Sequence, residues 1–200
     1  NGEGSALLEN LPLAEKIVSE CVKSGKIITV KFRTGVSDKK LIATEFAKRM
    51  EGAGASLLTI HGRTRDKMYS GDVAFDEIEK AKNAVKIPVV ANGGVFSLSQ
   101  AEELLEKTGA DGVMVARAAL YDPMIFCDLT GKDRISKLET FERQLLDTRA
   151  LFDERFTTVF MRKMAAFYCK GERGAATFKE RLFQAKTPDE VLSLARELWK

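Results

Sequence analysis

This chain is poor in histidine and cysteine and has no long apolar run. His61 is its one histidine, and its three cysteines, Cys21, Cys127 and Cys169, lie far apart with no CxxC pair. One histidine and scattered thiols cannot supply the usual ligand clusters, so no metal is expected. An odd number of separated cysteines argues against a disulfide framework and fits a reducing compartment, so the expected location is the cytoplasm. No apolar stretch approaches the roughly 20 residues that cross a bilayer, and no membrane partner is expected. The opening Asn1-Gly2-Glu3-Gly4-Ser5 lacks the basic and apolar regions of a leader peptide. An initiating methionine is also missing, the first being Met50, so a chain that was cut, processed or lacks its upstream part is expected. Net charge is only +3, too little by itself to argue for a nucleic-acid partner, which leaves the distribution of charge to decide.

What the sequence does have is a rhythm. Four short apolar runs each end in a polar or charged residue: 27–33 with Lys31, 56–61 with His61, 88–92 with Asn92, and 112–117 with Arg117. Their starts are 24 to 32 residues apart, and helix-like sequence fills each gap. That is the pattern of a (β/α) barrel, whose chemistry sits at the carboxyl ends of its strands. Four units make half a barrel. Helices are predicted over about 7–24, 41–50, 75–85 and after Ser97 or Ser99, with Gly35-Val36-Ser37-Asp38 as a loop. From Leu138 onward no strand-like run appears, and helices are predicted over about 138–153, 156–169, 175–184 and 188–199. The last begins with Thr187-Pro188-Asp189-Glu190, a capping threonine followed by proline in the first turn. The expected organisation is α/β. A half TIM (β/α)8 barrel, strands five to eight, covers residues 1–134, and an all-α helical bundle covers 135–200.

Asn92-Gly93-Gly94 and Ala116-Arg117 close the last two strands, where barrels commonly bind phosphate. Glycines let the backbone approach an anion, helix N-termini offer free N–H groups, and arginine adds a bidentate charge. The alternative is a sharp turn beside a surface salt bridge. Lys31 ends an apolar run, so its ammonium must reach solvent, an anion or a ligand heteroatom. His61 is either structural or a ligand contact at a strand end. The long polar loop from Arg63 to Asp72, with Arg63, Arg65, Lys67 and Tyr69, suits either RNA contact or a solvated lid. Between Arg155 and Arg181 seven cations stand against two acids, with five aromatics interleaved. This is either a phosphate-binding stripe or a solvated helix face.

These segments resemble the tRNA-dihydrouridine synthase family in order and spacing. The resemblance runs through Val30-Lys31-Phe32-Arg33-Thr34-Gly35, Thr59-Ile60-His61-Gly62-Arg63-Thr64-Arg65 with Tyr69-Ser70-Gly71, Ala91-Asn92-Gly93-Gly94-Val95, and Val115-Ala116-Arg117-Ala118-Ala119-Leu120. Asn1 to Leu8 resembles the segment after the family's cysteine motif, and Met161-Arg162-Lys163 to Ala176 its helical domain. The resemblance implies an FMN enzyme that reduces uridine to 5,6-dihydrouridine in tRNA, with NADH or NADPH as reductant. It implies that Lys31 and His61 contact the flavin ring. Asn92, Gly93, Gly94, Ala116 and Arg117 would hold its phosphate. Arg63, Arg65, Arg162, Lys163 and Lys170 would face the tRNA. Gly94 and Ala116 depart from the family pattern, which often has Asp and Gly there. The family's proton-donating cysteine matches none of the three present, so it is expected upstream of Asn1, with no catalytic residue in these 200 and no activity for them alone. Bare half-barrel edges are expected to pair in a homodimer or with the missing N-terminal half. The rival readings are another FMN or phosphate-binding barrel oxidoreductase, akin to dihydroorotate dehydrogenase, and a non-catalytic RNA-binding fragment.

Overall fold

The computed structural model describes residues 2–200; Asn1, which opens the run expected to follow a cysteine motif, lies outside them. The chain forms two compact units, one ending at Ala116 and one spanning Arg117–Lys200.

In the first unit, a short 3-10 helix at Gly4–Glu9 leads into α1 (Leu11–Val22). The predicted continuous helix from Leu7 breaks at Asn10, whose side chain accepts the Leu13 N–H while Pro12 restarts the turn. The strands are β1 (Thr29–Arg33), β2 (Gly35–Ser37), β3 (Lys40–Leu41), β4 (Leu57–His61), β5 (Val89–Asn92) and β6 (Gly112–Met114). Strands β1, β4, β5 and β6 lie side by side in that order, all parallel. A parallel sheet in sequential order needs a crossover between neighbours. Helices α2 (Ala43–Gly52), α3 (Phe75–Asn83) and α4 (Leu98–Thr108) supply them. Ser97 caps α4 by accepting from the Gln100 N–H, and Gly109, at φ +62°, ends it in the left-handed region.

Two-residue alternation gives the sheet two different faces. Phe32, Leu58, Ile60, Val89 and Ala91 are buried and apolar. The opposite set, in register across the strands, is Lys31 beside Thr59, then Arg33 beside His61 beside Asn92 beside Met114. The four expected strands are thus present, and β1 runs past Lys31 to Arg33. The expected loop at 35–38 instead opens the antiparallel hairpin of β2 and β3.

Two carboxylates tie the sheet's amino end to the helices. Glu51 accepts the Lys86 and Ile87 N–H groups at 2.6 and 3.0 Å. Asp111 accepts the Val89 N–H at 2.7 Å and the Lys82 ammonium at 2.6 Å. The Lys82 ammonium, aided by the Val89 N–H, holds the Asp111 carboxyl below the usual carboxylate range. A depressed carboxyl contributes stability above its unfolded value and loses it as pH falls through the folded one. Asp111→Asn should therefore flatten the acid side of the urea-midpoint profile between pH 6 and pH 3, leaving a smaller difference than in the parent chain.

In the second unit every regular element among the described residues is a helix: α5 (Arg117–Tyr121), α6 (Ile125–Thr130), α7 (Lys137–Leu151), α8 (Glu154–Tyr168), α9 (Ala175–Leu182) and α10 (Pro188–Leu198). Ser136, Asp153 and Thr187 each cap a helix by accepting an N–H three residues on. Its core joins Phe141, Leu145, Met161, Ala165, Leu182, Val191 and Ala195. Phe141 packs its ring against Tyr168 and Trp199 at centroid distances of 5.9 and 5.3 Å. Burial, with Asp122 nearby, pushes the Tyr168 hydroxyl up to about 12. The expected boundary near residue 134 lies beyond the observed division. Residues 117–134 go with the helices because Tyr121 packs edge-on to Phe167 and lies under the Lys170 ammonium. No helix among the described residues is long and apolar enough to cross a membrane.

Candidate functional site

Parallel strands bring their carboxyl ends to one edge of the sheet, and register then aligns what each strand presents there. Arg33, His61 and Asn92 are direct neighbours across β1, β4 and β5. His61 and Asn92 are buried, while Lys31, one pleat earlier on the same face, is exposed. Partial loss of hydration, reinforced by the Arg33 charge, holds the Lys31 ammonium below its ordinary value. Backbone bonds fix the row beyond the strands: Thr34 N–H donates to the His61 carbonyl at 3.2 Å, and Gly62 N–H to that of Asn92 at 2.9 Å. The Asn92 side-chain amide donates to the Met114 carbonyl at 2.8 Å and so pins β5 to β6.

Gly93 and Gly94 follow at φ +131° and +74°, a backbone that side chains rarely tolerate. A methyl group on Gly93 would sit 3.3 Å from His61 Cδ2 and 3.3 Å from Val73 Cγ2. The chain therefore turns tightly against the imidazole edge, the Val73 side chain and the Arg63 guanidinium. Ala116 is the last residue of this unit. Arg117 starts the second unit at the head of the five-residue α5, so the two expected phosphate loops fall on either side of the division.

The polar loop after β4 is ordered by two arginines. Arg33 Nη1 donates to the Thr64 and Met68 carbonyls at 3.1 and 2.8 Å, and its guanidinium lies 5.9 Å from the Tyr69 ring centre. Arg63, 8% exposed, donates from Nε to the Gly71 carbonyl at 2.9 Å. Between these clamps Met68 has φ +50°, the one non-glycine residue with positive φ among those described. Tyr69 stays exposed, its ring 6.3 Å from that of His61. Arg33 is the functional candidate that the sequence reading passed over. Its signal was a second cation two residues after Lys31, which the alternation of a strand puts on the same face.

The remaining expected RNA contacts are spread over both units. Arg65 donates to Glu9 at 2.6 Å. Arg162 donates to the carbonyls of Phe183 and Ala185 at 3.0 and 3.4 Å. Lys170 lies 3.8 Å over the Tyr121 ring centre. Lys163 is exposed.

A family model described as dihydrouridine synthase (Dus) matches residues 1–199. A relative in Synechocystis sp., named probable tRNA-dihydrouridine synthase 1, is 38% identical over 94% of this chain and 56% of its own length. A probable tRNA-dihydrouridine synthase of Rickettsia conorii is 36% identical over 88% of this chain and 56% of its own. The tRNA-dihydrouridine synthase B of Xanthomonas axonopodis pv. citri is 33% identical over 97% and 62%. The chain thus spans between about half and two thirds of the length of these relatives. Among solved structures, a nitroalkane oxidase from Streptomyces ansochromogenes is similar over 54% of this chain and 31% of its own, at 21% identity and a TM-score of 0.38, too loose to carry an argument.

Proposed function

Because this chain belongs to the dihydrouridine synthase family, we propose that it forms the carboxyl-terminal half of an FMN-dependent tRNA-dihydrouridine synthase. The observation that carries this reading is the aligned row at the sheet's carboxyl edge, continued by the Gly93-Gly94 turn packed against His61. The donor set suits FMN. Backbone at Gly93 and Gly94 can approach a phosphate closely, His61 offers a flat ring beside that turn, and a partly dehydrated Lys31 ammonium favours an electron-rich heteroatom.

In this reading Lys31 and His61 lie against the isoalloxazine. Asn92, Gly93, Gly94, Ala116 and Arg117 hold the phosphate, the last resting on the sequence motif alone. When bound and reduced by NADH or NADPH, FMN supplies the hydride for the C5=C6 bond of uracil. The protein's part is to orient and dehydrate. Lys31 fixes the ring by a charge-assisted hydrogen bond, and the pinned Asn92 and the Gly93-Gly94 turn hold the anion without moving. Tyr69 and the loop clamped by Arg33 and Arg63 form the rim on the substrate side, where an extruded base would enter. Arg65 in the first unit and Arg162, Lys163 and Lys170 in the second are each assigned to tRNA contact, Lys163 and Lys170 being exposed. The proton donor lies outside these 200 residues, and the edge strands β1 and β6 pair with the missing half or with a second copy.

Lys31→Met is expected to weaken FMN binding about tenfold, the loss of one charged hydrogen bond, as read by quenching of flavin fluorescence. The 200-residue chain incubated with unmodified tRNA, FMN and NADPH is expected to form no dihydrouridine. Unchanged flavin affinity in the lysine variant would overturn the assignment of the site.

A further inference from the structure

We propose that Glu9 sets the protein's affinity for RNA, by occupying Arg65 in the free state so that an incoming phosphate must displace a carboxylate. This rests on the reading above, in which the loop after β4 faces the tRNA. Arg65 Nη1 donates to Glu9 Oε2 at 2.6 Å, and the Lys40 ammonium stands 3.8 Å from the other carboxylate oxygen. One acid thus neutralises the strongest part of two cationic side chains that come from different segments, the hairpin of β2 and β3 and the polar loop. A second pair, Lys67 with Asp38 at 2.7 Å, joins the same two segments.

The backbone beneath Arg65 is fixed. Its N–H donates to the Gly35 carbonyl at 2.9 Å, and the next N–H, from Asp66, to that of Val36 at 3.2 Å. Only the guanidinium end is free to change partner. All three side chains are between about one third and one half exposed, so the pair is within reach of a ligand and is weak enough to exchange. Phosphate and carboxylate compete for the same planar fork of donors. The Arg65 partner also keeps the Glu9 carboxyl below the usual range, so the pairing favours the charged form that competes with phosphate.

The test is binding of an unmodified tRNA transcript to the protein and to Glu9→Gln, which keeps the shape and the acceptor oxygen and removes the charge. We expect Glu9→Gln to bind about two- to fivefold more tightly at low salt, the effect of one exposed ion pair. Its plot of log affinity against log salt should be the steeper of the two, because only in the parent protein does salt also help binding by loosening the Arg65–Glu9 pair. In an Arg65→Ala background the same change should lose most of its effect, and thermal melting should be unmoved by Glu9→Gln alone. If Arg65→Ala weakens binding while Glu9→Gln leaves it unchanged or weaker, the proposal is overturned and the RNA-facing reading stands. If Arg65→Ala binds like the parent protein, the reading of the loop and the proposal fall together.

Discussion

Replacing Gly93 by valine is expected to lower FMN affinity by about a hundredfold while leaving the far-ultraviolet circular dichroism spectrum unchanged. Two effects combine. The φ of +131° is open to glycine and strained for other residues, at a cost of about 1–3 kcal/mol. The first added carbon already meets His61 Cδ2 and Val73 Cγ2 at 3.3 Å, and Arg63 Nη1 at 3.6 Å. Valine's two further methyl groups have no space there, so the turn must open or the imidazole must swing away. Either movement disturbs the ring contact and the Gly93-Gly94 turn together. Alanine should give a smaller loss in the same direction. Flavin titration by fluorescence measures it, and a valine variant that binds FMN like the parent would remove Gly93 from the site.

The second large effect is expected in the helical unit. Phe141 is fully buried and is among the largest such side chains in the protein. Phe141→Ala should cost about 3–5 kcal/mol, the transfer of a phenyl ring plus the cavity it leaves. Phe141→Leu, which refills most of the volume, should cost much less. The protein contains a single tryptophan, Trp199, whose ring centre lies 5.3 Å from that of Phe141 and 5.9 Å from that of Phe178. Trp199 fluorescence during urea unfolding therefore reports on this core. The midpoint should fall strongly for alanine and slightly for leucine. A midpoint unmoved by alanine would mean that the cluster around α7, α8 and α10 does not hold this unit together.

The ends of β4 and β5 were legible in the sequence because their apolar runs stop at His61 and Asn92, whereas β1 continues to Arg33 and β6 stops at Met114, which leaves the expected strand-end Arg117 in α5. The capping signals at Ser97 and Thr187 are equally local, and the helices begin where those residues stand. What escaped was built by contacts distant along the chain. The hairpin at 35–41 has no alternating run of its own. It is held where Arg65 and Asp66 donate to Gly35 and Val36, and a side chain on Gly35 would meet the Lys40 carbonyl at 2.3 Å. Arg63 reads as a solvated loop cation but is buried, because the loop returns the Gly71 carbonyl to it. The same limit applies to residues 117–134, where Tyr121 under Lys170 leaves no periodic trace in the sequence. The break at Asn10 was readable, since asparagine two residues before proline marks a new helix start.

The in-register alternation of β1, β4, β5 and β6 also governs which changes of length this chain can survive. Deleting or inserting one residue within a strand would exchange Lys31, His61 and Asn92 for Phe32, Ile60 and Ala91 on the polar face, sending polar groups into the helix layer and apolar side chains into the row at the carboxyl edge. Length variation should therefore be confined to the connections, and within the strands the reading frame of side-chain direction is under tighter constraint than the identity of any one residue in it.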